Sequence, residues 1–204
     1  MKKNTILLKS ILVAVLILSA CVARAQEKLS EADKAKKMAE SYALAAPGPE
    51  HQRLQSLVGK WDQEIKVWSE PGKTPMTLKG TCENKMILGG RFLVGESKGN
   101  MGGMSVESTH ITGFDRRHKK YTHIGLDTFG TYYVTATGPY DESKQAVVMY
   151  GEDVDPLLGT QKYDIIFRVL GPDKYMIEIV FKDKEHTRGA AEFKEVEITY
   201  TRAK

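Results

Sequence analysis

Cysteine is scarce in this sequence. Cys21 and Cys82 are the only two among 204 residues, and only Cys82 lies beyond the first 25. A main body with one thiol has no disulfide framework, so a hydrophobic core must carry its stability. Cys82 alternates in register with Met76, Leu78 and Met86 and has no neighbouring histidine or arginine. A buried, inert thiol is expected there. Long apolar runs are missing too. The longest, residues 11–20, is shorter than the roughly 20 residues that a membrane-spanning helix needs, and Lys9 interrupts any longer count. Excess charge is absent from the main body. The formal charge of +4 resides in Lys2, Lys3, Lys9 and Arg24, while residues 26–204 carry 26 basic and 26 acidic side chains. Such a chain has no basic stripe with which to neutralise phosphates, and nucleic-acid binding is not expected.

Catalytic and metal motifs are equally thin. There is no H-E-x-x-H and no Cys/His spacing for zinc. "GNMGGM" (residues 99–104) lacks the Lys and Ser/Thr of a phosphate loop, and Glu152, Asp153 and Asp155 lack the regular spacing of a calcium loop. "GESKG" (residues 95–99) fits G-x-S-x-G, but a nucleophile elbow needs a following helix and here another strand pattern follows, so Ser97 is read as a chance match. No metal, cofactor or catalytic residue is assigned, and binding is expected rather than catalysis. No helix-length segment appears after residue 58, which excludes doubly wound and P-loop architectures.

Three regions are present: residues 1–25, 26–48 and 49–204. The first has Lys2 and Lys3, then the apolar run, then small residues, which is the makeup of a signal peptide. "ARA" (residues 23–25) suits cleavage before Gln26, while "LSAC" (residues 18–21) resembles a lipobox that would lipidate Cys21. Release before Gln26 is preferred, because no Ser/Gly-rich tether follows Cys21. An exported, periplasmic or extracellular protein is expected; the alternative is a lipoprotein anchored to the envelope through Cys21. Residues 29–45 read as a weakly amphipathic helix opened by Ser30 and Asp33, and Pro49 starts a short second helix through Leu57 that Gly59 ends.

From Trp61 the hydrophobic period changes to two. Ten strand patterns follow, at about residues 60–69, 75–88, 91–98, 104–114, 119–127, 130–138, 145–152, 161–170, 174–182 and 191–202, with turn-forming separators between them. Short connections make successive strands antiparallel neighbours, and closing the sheet removes its edges. The fold class is therefore all-β, a single antiparallel up-and-down barrel of about ten strands with one or two N-terminal helices. Trp61 and Ile65, Cys82, Tyr163 to Val169, Tyr175 to Phe181, and Ile198 and Tyr200 alternate on the inward register. A four-residue hairpin loop at residues 115–118 would pair His110 with His123 and put both on one face with Tyr121 and Asp127. With that face inward the lumen holds His110, Tyr121, His123 and Asp127, joined by Tyr133 on the next strand, as the expected ligand-binding set.

The first and last strands of such a barrel adjoin, so Arg202 is expected to lie over Trp61 and close the floor. That Trp and Arg pairing, with the Gly59–Lys60–Trp61 entrance, resembles the calycin superfamily and its lipocalins. "PEHQRLQSLVGKW" (49–61), "ENKMILGGRFLVGE" (83–96), "ITGFDRRHKKYTHIGLDTFGT" (111–131) and "EITYTR" (197–202) resemble the bacterial family known as domain of unknown function 1579. The resemblance implies a β-barrel of uncharacterised role and brings no catalytic residues with it. The function expected is the binding of a small apolar or amphipathic molecule inside the barrel. The alternatives are a haem- or metal-binding barrel or small-molecule enzyme using the lumen histidines, and an envelope interaction protein.

Overall fold

A computed structural model describes residues 30–157 and 159–204. The cleavage and lipidation sites, Cys21 included, lie outside the described residues. The described residues divide into two units, one ending at residue 43 and the other spanning residues 44–204. In the first, helix α1 (Glu31–Ala45, its last two residues in the second unit) opens as its sequence dictates: Ser30 Oγ accepts from Asp33 N at 3.1 Å and donates to Asp33 Oδ2 at 2.6 Å. None of its residues is buried.

The second unit is a closed antiparallel barrel. Helix α2 (Pro49–Gln55) leads into strands β1 (Gly59–Val67), β2 (Met76–Ile87), β3 (Phe92–Met101), β4 (Met104–Asp115), β5 (Lys120–Asp127), β6 (Tyr133–Gly138) and β7 (Tyr140–Asp141). Strands β8 (Ala146–Asp155), β9 (Gly159–Gly171) and β10 (Lys174–Phe181) follow, then the short helix α3 (Lys184–Thr187) and β11 (Phe193–Arg202). Strands β2 to β6 and β9 to β11 each pair with their predecessor, β8 pairs with both β6 and β7, and β1 pairs with β11 from Trp61↔Arg202 to Val67↔Val196. The two-residue β7 is a continuation of β6: Thr137↔Tyr150 and Tyr140↔Val147 keep one register on β8, broken by Pro139, which has no N–H to give the ladder. Gly138 sits at this break because a Cβ there would come within 1.8 Å of the Val148 carbonyl oxygen.

Alternation decides the faces. Trp61, Cys82, Tyr121, Tyr175 and Tyr200 are buried, and with Leu93, Met149, Ile165 and Phe167 they form the core. Helix α2 adds Leu54 to it, and the turn after the helix adds Leu57. The Leu57 carbonyl accepts from Trp61 Nε1 at 2.8 Å and Asn84 Nδ2 at 3.1 Å, so the end of α2 is tied to β1 and β2. Gly59 does not end α2, which stops at Gln55. It opens β1 at φ +127°, and a Cβ there would come within 2.9 Å of the Arg202 guanidinium. On the outer face a charged chain crosses from β9 to β1: Arg168 to Glu178, Lys194 to Glu178 and Glu197, and Lys66 to Glu197. It spans the junction of first and last strands.

Candidate functional site

Two features of the sequence decide what the lumen can hold. The inner positions of β3 are Leu93, Gly95, Ser97 and Gly99, and those facing them on β4 and β5 include Ser108, His110, Thr112, His123 and Gly125. Small and polar side chains therefore form one wall. Across from it, Met149, Ile165, Phe167, Tyr175 and Ile177 form an apolar wall, and a cavity of about 20 Å³ lies between these and His110, Thr112 and His123, with Leu54 and Leu57 beneath. That is room for about one water. Farther from α2, the inward Ile65, Leu78, Ile177, Ile179 and Ile198 are only half-buried although they lie within strands, so solvent reaches this end of the lumen. A larger concavity, about 560 Å³, is an open depression of the outer wall lined by Asp62, Glu64, Lys79, Thr81 and Lys98 among others, with charges of both signs and no convergent chemistry.

The two histidines meet, by a different pairing from the one expected. Lys119 adopts φ +53°, the turn occupies residues 116–119, and Asp115 pairs with Lys120. Phe114 then faces Tyr121, Thr112 faces His123 and His110 faces Gly125. The register moves by two residues, so parity survives and both imidazoles point inward, diagonal to each other. Their rings stack with centroids 5.8 Å apart and planes 20° apart. His123 Nδ1 lies 2.9 Å from Thr112 Oγ1. His110 has no side-chain hydrogen-bond partner among the described residues. It is enclosed by protein yet keeps some accessible surface, which therefore faces the lumen.

Glycines seat the pair. A Cβ on Gly95 would come within 2.1 Å of His110 Cε1 and 2.4 Å of both His110 Nε2 and Asn84 Oδ1. The ring of His110 occupies the space that a side chain on β3 would take. On the other side, Gly125 leaves His123 Nε2 3.6 Å from where its Cβ would be. Burial holds both histidines uncharged, lowering His110 to about 4 and His123 to about 3, the latter helped by the neighbouring His110. No charged side chain lines the cavity. Burial also pushes the Tyr175 hydroxyl and the Cys82 thiol upward, so both stay protonated.

The remaining residues of the expected set lie elsewhere. Tyr121 is packed in the floor at 1% exposure, edge-on to Phe114, and its Oη accepts from Arg53 Nη1 at 3.3 Å. Asp127 has inward parity but stands exposed at the far end of β5, where Oδ1 accepts from Phe129 N at 2.8 Å. Tyr133 faces outward, 63% exposed, because Leu126↔Tyr133 is an outer pair and Val134 takes the inner position. It is corrected from a lumen residue to a surface one. The guanidinium of Arg202 lies 4.2 Å from the Trp61 ring and donates to Val58 O, Ser56 O, Pro172 O and Asp173 Oδ1 at 2.9–3.1 Å. Ser97 is mid-strand and accepts from Gln63 Nε2 at 3.2 Å, with no helix after it. Among the described residues no group of three or more His, Cys, Asp or Glu is placed to hold a metal, and no helix is long and apolar enough to cross a membrane.

Thr112, Gly95 and Gly125 escaped sequence reasoning. The available sign was the run of small residues at period two in "LVGESKG", residues 93–99, which marks a strand face with space over it.

The model of a family described as a protein of unknown function (DUF1579) matches residues 46–202. No curated protein matches the chain. Among solved structures, the chain is similar to the S-type phycobiliprotein lyase of Guillardia theta, at 8% identity and TM-score 0.49, over 75% of this chain and 92% of that one. It is also similar to a de novo designed fluorescence-activating β-barrel, at 13% identity and TM-score 0.42, over 74% and 96% of the two chains.

Proposed function

Since the chain belongs to the DUF1579 family, whose function is unknown, we propose from the lumen itself that the protein binds a small apolar or amphipathic molecule inside its barrel. The observation that carries this reading is the two-sided lumen: half-buried aliphatic side chains on one wall, and on the other His110, Thr112 and His123 among glycines and serines. Ligand pockets are mostly apolar with a few placed polar groups, and this lumen has that makeup. His110 and His123 orient the ligand, and the apolar wall supplies most of the binding energy at roughly 25 cal/mol per Å² buried. Trp61 and Arg202 act in closing the barrel. Tyr121 supports the floor without touching ligand.

The protein works outside the cytoplasm in this proposal, because residues 1–25 have the makeup of an export signal cut before Gln26. Lipidation at Cys21 would add an envelope anchor. The mass of the mature N-terminus separates the two: an intact Gln26 start excludes the anchor. For the lumen, native mass spectrometry after incubation with a lipid extract is expected to show a retained mass of a few hundred daltons that is released on unfolding. A protein that stays empty against every lipid class would overturn the reading.

A further inference from the structure

The structure assigns the His110–His123 pair a specific task, and we propose that it receives the carboxyl group of an amphipathic acid, which binds together with one proton. The inference rests on the lumen-binding reading above. Its geometric basis is the arrangement of the rings. The imidazoles are nearly parallel with centroids 5.8 Å apart, and each Nε2 lies beside a glycine, that of His110 over Gly95 with Asn84 Oδ1 close by and that of His123 by Gly125. The two oxygens of a carboxyl are about 2.2 Å apart, and with a hydrogen bond of about 2.8 Å from each its reach of up to about 8 Å is enough for two rings whose centroids are 5.8 Å apart. One metal ion would fit poorly, because it needs both nitrogens within about 2.1 Å and further ligands. A single hydroxyl could also bridge the rings, donating to one and accepting from the other, and it is the competing head group that decanol tests.

Charge decides the form in which the acid binds. Thr112 comes from the strand of His110, and Asn84 and Cys82 on β2 and Ser97 on β3 lie beside the pair. Tyr175 on β10 faces across the cavity, Tyr121 lies on the floor side, α2 contributes Leu54 and the buried His51 packed on Phe114, and Leu57 follows the helix. Strands β6, β8 and β9 present Val134, Ala136, Met149, Ile165 and Phe167. Asp127, of inward parity, is at the exposed end of β5, and Arg53, which does not line the cavity, reaches Tyr121. With no cation at the site, a bare carboxylate would lose its hydration uncompensated, at a cost of several kcal/mol. Adding one proton removes that cost. The complex holds it either on the acid, as O–H donating to one imidazole while the other donates to the carbonyl oxygen, or on an imidazole facing a carboxylate. No bond is made or broken beyond this proton transfer from solvent. The neutral state of both rings supplies the acceptor and the donor.

The test is calorimetric titration of the whole protein with decanoate and with decanol between pH 6 and 8, in buffers of different ionisation heat, with N-phenyl-1-naphthylamine as an uncharged lumen probe. Decanoate is expected to bind with uptake of about one proton at pH 7 and to weaken about tenfold per pH unit, while decanol binding stays flat. His110→Leu and His123→Leu, each first shown to be folded by its β circular dichroism, are each expected to weaken decanoate at least tenfold and to remove its proton uptake. Decanoate binding without proton uptake, or with a flat pH profile, overturns the inference. If the probe binds and decanoate does not, this inference falls and the lumen reading stands; if neither binds, both fall.

Discussion

At the scale of single residues, the site depends on what Gly95 lacks. Its absent side chain is the space that His110 occupies. Gly95→Ala must displace His110 or Asn84 and is expected to cost about 1–3 kcal/mol, measured by urea unfolding. Gly125→Ala, whose Cβ would come no closer than 3.1 Å to Val134 Cγ2, is expected to cost less. Equal costs would contradict the seat assigned to Gly95. The histidines carry a second prediction. Both have folded pKa values below the unfolded 6.5, near 4 and 3, so the folded state binds fewer protons than the unfolded state in that interval. Their stabilising contribution is fully present above pH 6.5 and is lost as pH falls towards 4 and then 3, by at most about 1.4 kcal/mol per unit for each. Replacing both by Leu is expected to flatten the stability profile between pH 6.5 and 4, read from urea midpoints. That the two histidines share a face was legible from parity alone. Which face these strands bury was not, because on β4 and β5 the outer positions hold the aliphatic Ile111, Ile124 and Leu126 while the inner ones hold Ser108, Thr112 and Gly125 beside the histidines.

At the scale of elements, helix α2 and the last strand act on the same end of the barrel. Leu54 and Leu57 are buried at 1% and 3% exposure, and Arg202 holds the carbonyls of Ser56 and Val58 just after the helix. An ammonium cannot span these acceptors and lie flat on an indole as a guanidinium does. Arg202→Lys is therefore expected to cost about 1–3 kcal/mol in urea unfolding, and a silent substitution would contradict the role given to the fork. Strand positions were readable because period-two apolar residues and turn residues both mark them, and all ten expected segments correspond to strands of the ring. Two details resisted. Pro139 breaks β6 from β7 without changing register, and Lys119 in a left-handed conformation moves the β4–β5 pairing by two residues. Neither follows from composition, since a non-glycine residue at positive φ is fixed by its turn and not by its own preference.

For the whole molecule, closure is the property from which the rest follows. Residues separated by almost the entire second unit pair along seven positions of β1 and β11, and only then does an inside exist to separate His110 from Tyr133. Without closure the outer pair Leu126↔Tyr133 and the inner pair Gly125↔Val134 would be equally wet. The central claim is that this inside binds ligand, and filling it tests the claim directly. Ser108→Trp places an indole on the inner face of β4 between Ser97 and Asp127, and Thr109→Trp places the same group outside. The measurement is the fluorescence of N-phenyl-1-naphthylamine titrated with the native protein and both variants, each first shown to be folded by its β circular dichroism. Saturable enhancement with the native protein and Thr109→Trp, and its loss with Ser108→Trp, is the predicted result. Equal enhancement by all three, or by none, would contradict binding in the lumen.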